Sequence, residues 1–439
     1  MARQPNSASY ASWILSVTGF FLTVYVFHPG LMSVDSVVQY QQALSGKYID
    51  SHPPIMAFIW SMLNRLVPGP VGMLWFHAAM LWGGLALFAW VLDKQGQRCT
   101  WLLVLAGFAP QVTGISGVIW KDIGMATALL MATALLFGAA NGALNRRLGV
   151  VLALIFIVYA TLVRSNGIAA SLPLLLALVA VARPCYRLAN CLLFALILGI
   201  GIGGLKAGLE YGVLNSEKTH FWQQIALHDL AGIQCRGGQA KIPDTFVVNQ
   251  DICGGYDPYH VDLLIFGPSA PLRSSGDAAA LDQLRQTWLL SVAAEPVKYL
   301  RHRLRAFYGL LGIPTLSARY VYLVQDDMQP NVWGIVAHDN ALRSMLYRVV
   351  ATLSNTWAFK GWFWCGVALL LTLRSWRIRG PLTVDTLLPM SALCYAASYL
   401  PTTPAPNYRY LYWTVLATIV AALLAVFEKL GPRDTIETP

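Results

Sequence analysis

The sequence predicts an all-α protein that crosses a membrane about ten times, because apolar runs of roughly 20 residues recur along it, each long enough to span a hydrocarbon core. Charged residues make up 12% of the 439, against 56% hydrophobic. A soluble domain carries about 25% charged residues, so lipid is the expected solvent for most of this surface. The basic residues are also confined to alternate connections, as the positive-inside rule requires of a polytopic chain.

Taken in order, the first run, 10–27, is followed by His28-Pro29-Gly30 and no small-residue cleavage site, so it reads as a retained span. Further spans are expected near 71–92, 101–119, 123–140, 148–163, 168–182, 188–209, 357–373, 383–400 and 411–427. The total lies between about 10 and 13, depending on hairpins within 295–356. Arg3, Lys94, Arg98, Arg146, Arg147, Arg183, Arg187, Arg374, Arg377, Arg379, Lys429 and Arg433 then share one side of the membrane, whereas the opposite short loops hold only Lys47, Arg65, Lys121, Arg164 and Arg409. That asymmetry puts both termini in the cytoplasm. It also accounts for most of the net charge of +10 as a topology signal, which argues against nucleic-acid binding.

Two outward connections exceed simple turns, 28–70 and 210–356, and divide the chain into an N-terminal membrane module (1–209), an extracytoplasmic cap (210–356) and a C-terminal membrane module (357–439). In the first connection Ser33 caps a helix from Val34 to Leu44 that Gly46 stops, and a second helix follows Pro53-Pro54 from Ile55 to Leu66. Both read as interfacial helices; the alternative is that 54–67 begins another span. In the cap, Glu295-Pro296 opens a basic amphipathic helix near 296–311, with Lys298, Arg301, Arg303 and Arg305 opposite Tyr299, Leu300, Leu304 and Phe307. Cys235 and Cys253 are placed to form a disulfide if the cap faces an oxidising compartment such as a bacterial periplasm. The other cysteines lack metal-ligand spacing and read as packing residues.

Polar signatures recur in the outward turns. They are Ser33-Val34-Asp35-Ser36, Tyr40, Tyr48-Ile49-Asp50, His52-Pro53-Pro54, Trp120-Lys121-Asp122, Arg164-Ser165-Asn166 and Asn407-Tyr408-Arg409-Tyr410. Turns at one face of a bundle can converge on one cavity. Within it Asp35 is the first candidate for a general base, partial burial raising its pKa toward working pH, with Asp122 second. Each also has a plain reading as a helix-start dipole or capping residue. Arg164 and Arg409 either snorkel at the bilayer edge or clamp a phosphate with paired N–H donors. Tyr408, Tyr410 and Tyr412 read as interface-belt aromatics or sugar-stacking surfaces, and His52 as a turn residue or pocket donor.

The stretch Asp35, Tyr40, Gly46 to Tyr48 and His52-Pro53-Pro54, with Asp122 in the next outer loop and Arg409-Tyr410 late in the chain, resembles the GT-C superfamily of integral membrane glycosyltransferases, which includes protein O-mannosyltransferases and the lipid A aminoarabinose transferase. The likeness covers the first ~150 residues in loop order and motif, with weaker support to residue 430. One position departs: the Asp-Glu pair common in the family is Asp35-Ser36 here, which leaves a divalent metal open. The resemblance implies a polyprenyl-phosphate-linked sugar donor, inverting transfer with Asp35 as base, and a protein (a pilin, for example), glycan or lipid acceptor chosen by the cap. It implies catalytic roles for Asp35 and Asp122. It further implies substrate contacts from Tyr40, Tyr48, Asp50, His52, Lys121, Arg164, Asn166, Arg409 and Tyr410. The expected location is a bacterial inner membrane with the site facing the periplasm. The rival class is a transporter or flippase, which would place ionisable residues at mid-span and not at span ends.

Overall fold

The computed structural model describes residues 7–313 and 328–430, and every regular element among them is a helix; their β pairing is limited to isolated bridges. In chain order the helices are α1 (Ser7–Phe27), α2 (Val34–Ser45), α3 (Ile55–Leu66), α4 (Val71–Lys94), α5 (Trp101–Val104), α6 (Pro110–Ser116), α7 (Lys121–Ala140), α8 (Arg146–Val163), α9 (Gly167–Ala182) and α10 (Leu188–Ala207). Then come α11 (Trp222–Gln234), α12 (Ile252–Gly255), α13 (Asp262–Ile265), α14 (Ala278–Ala294), α15 (Pro296–Leu311), α16 (Ala341–Leu353), α17 (Gly361–Arg379), α18 (Val384–Ser398) and α19 (Tyr412–Leu430).

Among the described residues, six stretches are long and apolar enough to cross a membrane: Tyr10–Phe27, Val71–Lys94, Lys121–Ala140, Arg146–Val163, Leu188–Val213 and Tyr408–Leu430. At 16 and 15 residues, α9 and α18 rise only about 24 and 22 Å, and α17 carries Arg377 and Arg379 in its last turn. α3, at 12 residues, rises about 18 Å and packs on α2 and α4 as a short helix.

The expected continuous span over 101–119 is replaced by α5, a 3-10 turn over Leu105–Phe108, and α6. The reason is local: Pro110 has no N–H to continue the helix, so the chain restarts with Pro110 in the first helical turn. The broken path still covers the height of the bundle. At one end Ser12 bonds Thr100 Oγ1 at 3.1 Å, and at the other Leu31 bridges Val118, so 100–118 runs beside α1 over the same distance.

α7 forms the bundle axis, packed between α4 and α8, with nearly all its side chains buried. Its alanines and the glycines facing it permit that closeness: a Cβ at Gly149 would come within 2.8 Å of Ala139, and one at Gly84 within 3.0 Å of Leu130. The Trp82 ring of α4 fills the space left by Gly19 and Gly107 and donates to Thr23 Oγ1 at 3.0 Å. Ion pairs of Arg374 and Arg379 with Glu428 tie α17 to α19 at the far end from Asp35.

A second hydrophobic core lies within 226–284, built on Leu227, Leu230, Phe246, Leu264 and Leu284. Cys235 and Cys253 form a disulfide in the same segment. Met328, Trp333, Ile335 and Val350 pack instead with the membrane-helix core. α15 has the expected bounds but not the expected faces: Arg303 is buried, and Leu300 is exposed. Asp229 on α11 reverses the pattern, pairing with Arg303 at 2.6 Å where neither reaches solvent.

Candidate active site

Backbone pairing at one end of the bundle joins the first connection to the start of α7. Leu31 N donates to Gly117 O at 3.0 Å, and Ile119 N donates to Leu31 O at 2.9 Å. Ser33 and Ser36 form a capping box at the start of α2, and Ser36 Oγ also donates to Ile119 O at 2.8 Å. Trp120 Nε1 donates to Ser33 Oγ at 2.7 Å. This knot sets Asp35, in the first turn of α2, beside Lys121 and Asp122, in the first turn of α7. Ser36, where the family resemblance expects a second acid, is a buried capping and tethering residue.

Asp35 Oδ2 receives a bond from Arg409 Nη1 at 2.7 Å, and His52 Nε2 lies 3.8 Å from Asp35 Oδ1. Lys121 Nζ meets His52 Nδ1 on the other side of the ring. Asp122 is 1% exposed and holds Arg164 Nη1 at 2.8 Å. Arg164 also donates to Tyr399 OH at 2.6 Å and to Asn166 Oδ1 at 3.2 Å, while Asn166 Nδ2 reaches Ser398 Oγ at 2.9 Å. Tyr410 separates the two guanidiniums: Arg164 lies 5.1 Å and Arg409 5.2 Å from its ring centroid. Trp120 covers the other approach to Arg409 at 4.9 Å, a second cation–π contact.

Burial opposes ionisation of Asp35, but Arg409, His52 and Lys121 outweigh it and hold the carboxyl well below the usual carboxylate range. This corrects the expectation that burial alone would raise it. For His52, burial and then Lys121 depress the imidazole to about 3, so it is neutral at physiological pH and its Nδ1 accepts from Lys121. The arginines do not snorkel, and Tyr408, Tyr410 and Tyr412 are buried in protein instead of lying in an aromatic belt at the membrane surface. Arg409 Nε and Asp122 Oδ1 are buried without a hydrogen-bond partner, which makes them open positions in a polar network.

Asp35, His52, Lys121, Asp122, Arg164, Asn166, Arg409 and Tyr410 thus gather in one cluster. Tyr40, Tyr48 and Asp50 do not join it. Tyr40 donates to Asn64 Oδ1 at 3.0 Å and packs between Trp60 and Trp333. Tyr48 is buried, its carbonyl accepting from Glu217 N at 2.9 Å. Asp50 accepts from Thr219 Oγ1 at 2.6 Å and Tyr211 OH at 3.0 Å, fastening the first connection to the segment after α10. For Asp50 the sequence could not say that its partners lay 161 and 169 residues away. Sequence reasoning named Trp120 only within the Trp120-Lys121-Asp122 signature, without a role, and missed Tyr399; the signal for both is an aromatic placed at the same helix ends as the charges. Among the described residues no three His, Cys, Asp or Glu side chains gather as metal ligands, so the cluster does not fit a divalent cation held by protein alone.

Chemically, three basic side chains against two carboxylates leave the cluster suited to an anion. The chain matches no family model, no curated protein and no solved structure.

Proposed function

We propose that this chain is a membrane glycosyltransferase that moves a sugar from a polyprenyl-phosphate donor to an extracytoplasmic acceptor, with inversion. The observation that carries the reading is the convergence of Arg409, Arg164 and Lys121 around Asp35 and His52 at one end of the apolar bundle, with a buried Arg409 N–H unpartnered. An anionic diester supplies the missing acceptor.

The acceptor hydroxyl attacks the anomeric carbon, the carbon–oxygen bond to phosphate breaks with its electron pair leaving on phosphate, and the hydroxyl proton passes to Asp35. Arg409 and Lys121 stabilise the charge that develops on the leaving phosphate. Asp35 is a weak base while Arg409 bonds it alone. A phosphate competing for that guanidinium relaxes its hold, so donor binding itself raises the basicity of Asp35. Asp122 fixes Arg164 and acts as a positioning residue. The basic residues that close α4, α17 and α19 lie at the end away from Asp35, which supports a cytoplasmic assignment for that end, a periplasmic site and ten crossings counting the broken path. The Cys235–Cys253 disulfide is in keeping with an oxidising side.

The test is sugar release from a polyprenyl-phosphate sugar by purified protein. Asp35→Asn is expected to reduce turnover about 10²- to 10⁴-fold, the range of a lost general base, while donor binding persists. Arg409→Ala is expected to weaken donor binding; equal affinity would remove the clamp, and equal turnover in Asp35→Asn would remove the base. The alternative, a transporter of lipid-linked or small solutes, draws on the broken crossing over 101–116. It predicts flux across proteoliposomes without release of sugar.

A further inference from the structure

α15 joins the cap to the bundle and leaves one side of itself uncovered. Its N-terminal half belongs to the cap: Tyr299 packs on the cap core, and Arg303 is locked to Asp229. Its C-terminal end belongs to the bundle. Leu310 packs in the membrane-helix core, a Cβ at Gly312 would come within 2.8 Å of Lys360, and one at Gly361, the first residue of α17, within 3.1 Å of Leu311 Cα. α15 therefore ends where α17 begins, at the opposite end of α17 from the Arg379–Glu428 pair. Between these anchors the helix divides into three strips. His302, Arg303, Ala306, Gly309 and Leu310 are buried. Val297, Leu300, Leu304 and Tyr308 recur at helical spacing on another side, where Val297, Leu300 and Tyr308 are 61, 50 and 43% exposed. Arg301 and Arg305 border that apolar strip, exposed and with no acid paired to either among the described residues. Lys298, on the same border, is paired with Glu295. Pro296–Leu311 holds no acidic residue, so nothing on α15 offsets the two arginines.

We propose that α15 lies on the lipid surface at the Asp35 end of the bundle, its apolar strip seated in the leaflet and Arg301 and Arg305 holding anionic phospholipid headgroups. The inference goes beyond glycosyl transfer and needs only the membrane bundle. Lipid is the occupant for reasons of continuity and of charge. The strip runs to the start of a bundle helix, and Trp357 and Trp362, which flank that start, are exposed too, as aromatics are at a membrane–water boundary. Cations bordering an exposed apolar strip are the pattern of a helix that rests in the headgroup region. Each guanidinium offers paired N–H donors that match a phosphate. Docked in this way, α15 also sets the height of the cap above the cluster, because Arg303 on its buried side reaches Thr403 O at 3.5 Å, in the loop that leads into Arg409.

The experiment uses the full chain in nanodiscs made of equal parts phosphatidylcholine and phosphatidylglycerol, with the photo-crosslinking residue benzoylphenylalanine placed at Leu300. The same residue at Leu370, exposed on α17, serves as the lipid-facing reference. Mass spectrometry identifies what each probe captures after illumination. The probe at 300 is expected to capture lipid, with phosphatidylglycerol in excess over phosphatidylcholine. Adding Arg301→Gln and Arg305→Gln is expected to lower that ratio at least about fivefold, the effect of one basic charge at an anionic surface. Both positions are exposed, and a ratio within one sample is not moved by a loss of folded protein. Capture of protein at 300, whether this chain, a second copy or another partner, overturns the proposal. So does an absence of lipid at 300 while the probe at 370 captures it. A lipid ratio that the two glutamines leave unchanged overturns the role of the arginines.

Discussion

At the scale of single residues, the cluster is organised by which charge each group keeps. Arg409 and its neighbours hold Asp35 well below the usual carboxylate range, so it is ionised in the free protein throughout the neutral and mildly acidic range. The sign follows from that direction: a depressed carboxylate contributes stability above its unfolded pKa and loses it only as pH falls through the lower folded value. His52, depressed to about 3, stays neutral over the same window. The dependence of kcat/KM on pH, which reports groups of the free protein, is therefore expected to show no acid limb between about pH 5 and pH 7. An acid limb in that window, lost in Asp35→Asn, would mean that Arg409 does not hold the carboxylate as its geometry requires.

At the scale of elements, the site depends on the joint between α2 and the residues before α7. Gly117 is where this joint is tightest: a Cβ there would fall 1.9 Å from Phe27 Cγ at the end of α1. Gly117→Ala is expected to cost about 1–3 kcal/mol, because neither the ring nor the backbone can yield without moving 118–120. Turnover should fall with it, since Lys121 follows directly. Gly201→Ala on α10, where a Cβ meets nothing within 4 Å, serves as the comparison and is expected within about 0.5 kcal/mol of wild type. Thermal unfolding of both variants in one detergent checks the pair. Ser36→Ala tests the other half of the joint, which caps α2 and tethers it to Ile119. Its expected loss is about 1 kcal/mol, read in the same assay.

At the scale of the whole molecule, the cap is joined to the bundle through buried polar groups. Arg303→Met leaves Asp229 buried without its cation, an arrangement that typically costs about 3–5 kcal/mol. Hydrogen exchange over 226–284 is expected to accelerate while α7 stays protected. Acid should act on the same region. Burial depresses His228 to about 4 and holds His302 well below the ordinary imidazole value, so the unfolded cap binds protons that the folded cap refuses. Stability contributed by these histidines is present above pH 6.5 and is lost as pH falls toward 4. A cap whose exchange rates do not rise over that interval would contradict the burial of both rings.

Membrane helices were legible in the sequence because the hydrocarbon core imposes a length and a composition on any segment that crosses it. α1, α4, α7, α8 and α10 accordingly begin and end within a few residues of the expected runs. The helices α2 and α15 were legible for a local reason as well, a serine cap with a glycine stop and a Glu-Pro start. Pro110 is the local signal of the break in the third apolar run, which restarts there as α6. The partners of each side chain were a matter for the tertiary structure alone. Asp35 and Arg409 are 374 residues apart and meet at 2.7 Å, whereas Asp50, two residues before His52, turns to Thr219 and Tyr211. Composition and periodicity fix which faces avoid water. A charged side chain's partner is fixed by distances between helices that no local stretch encodes, which is why the sequence supplied most members of the cluster and the fold chose among them.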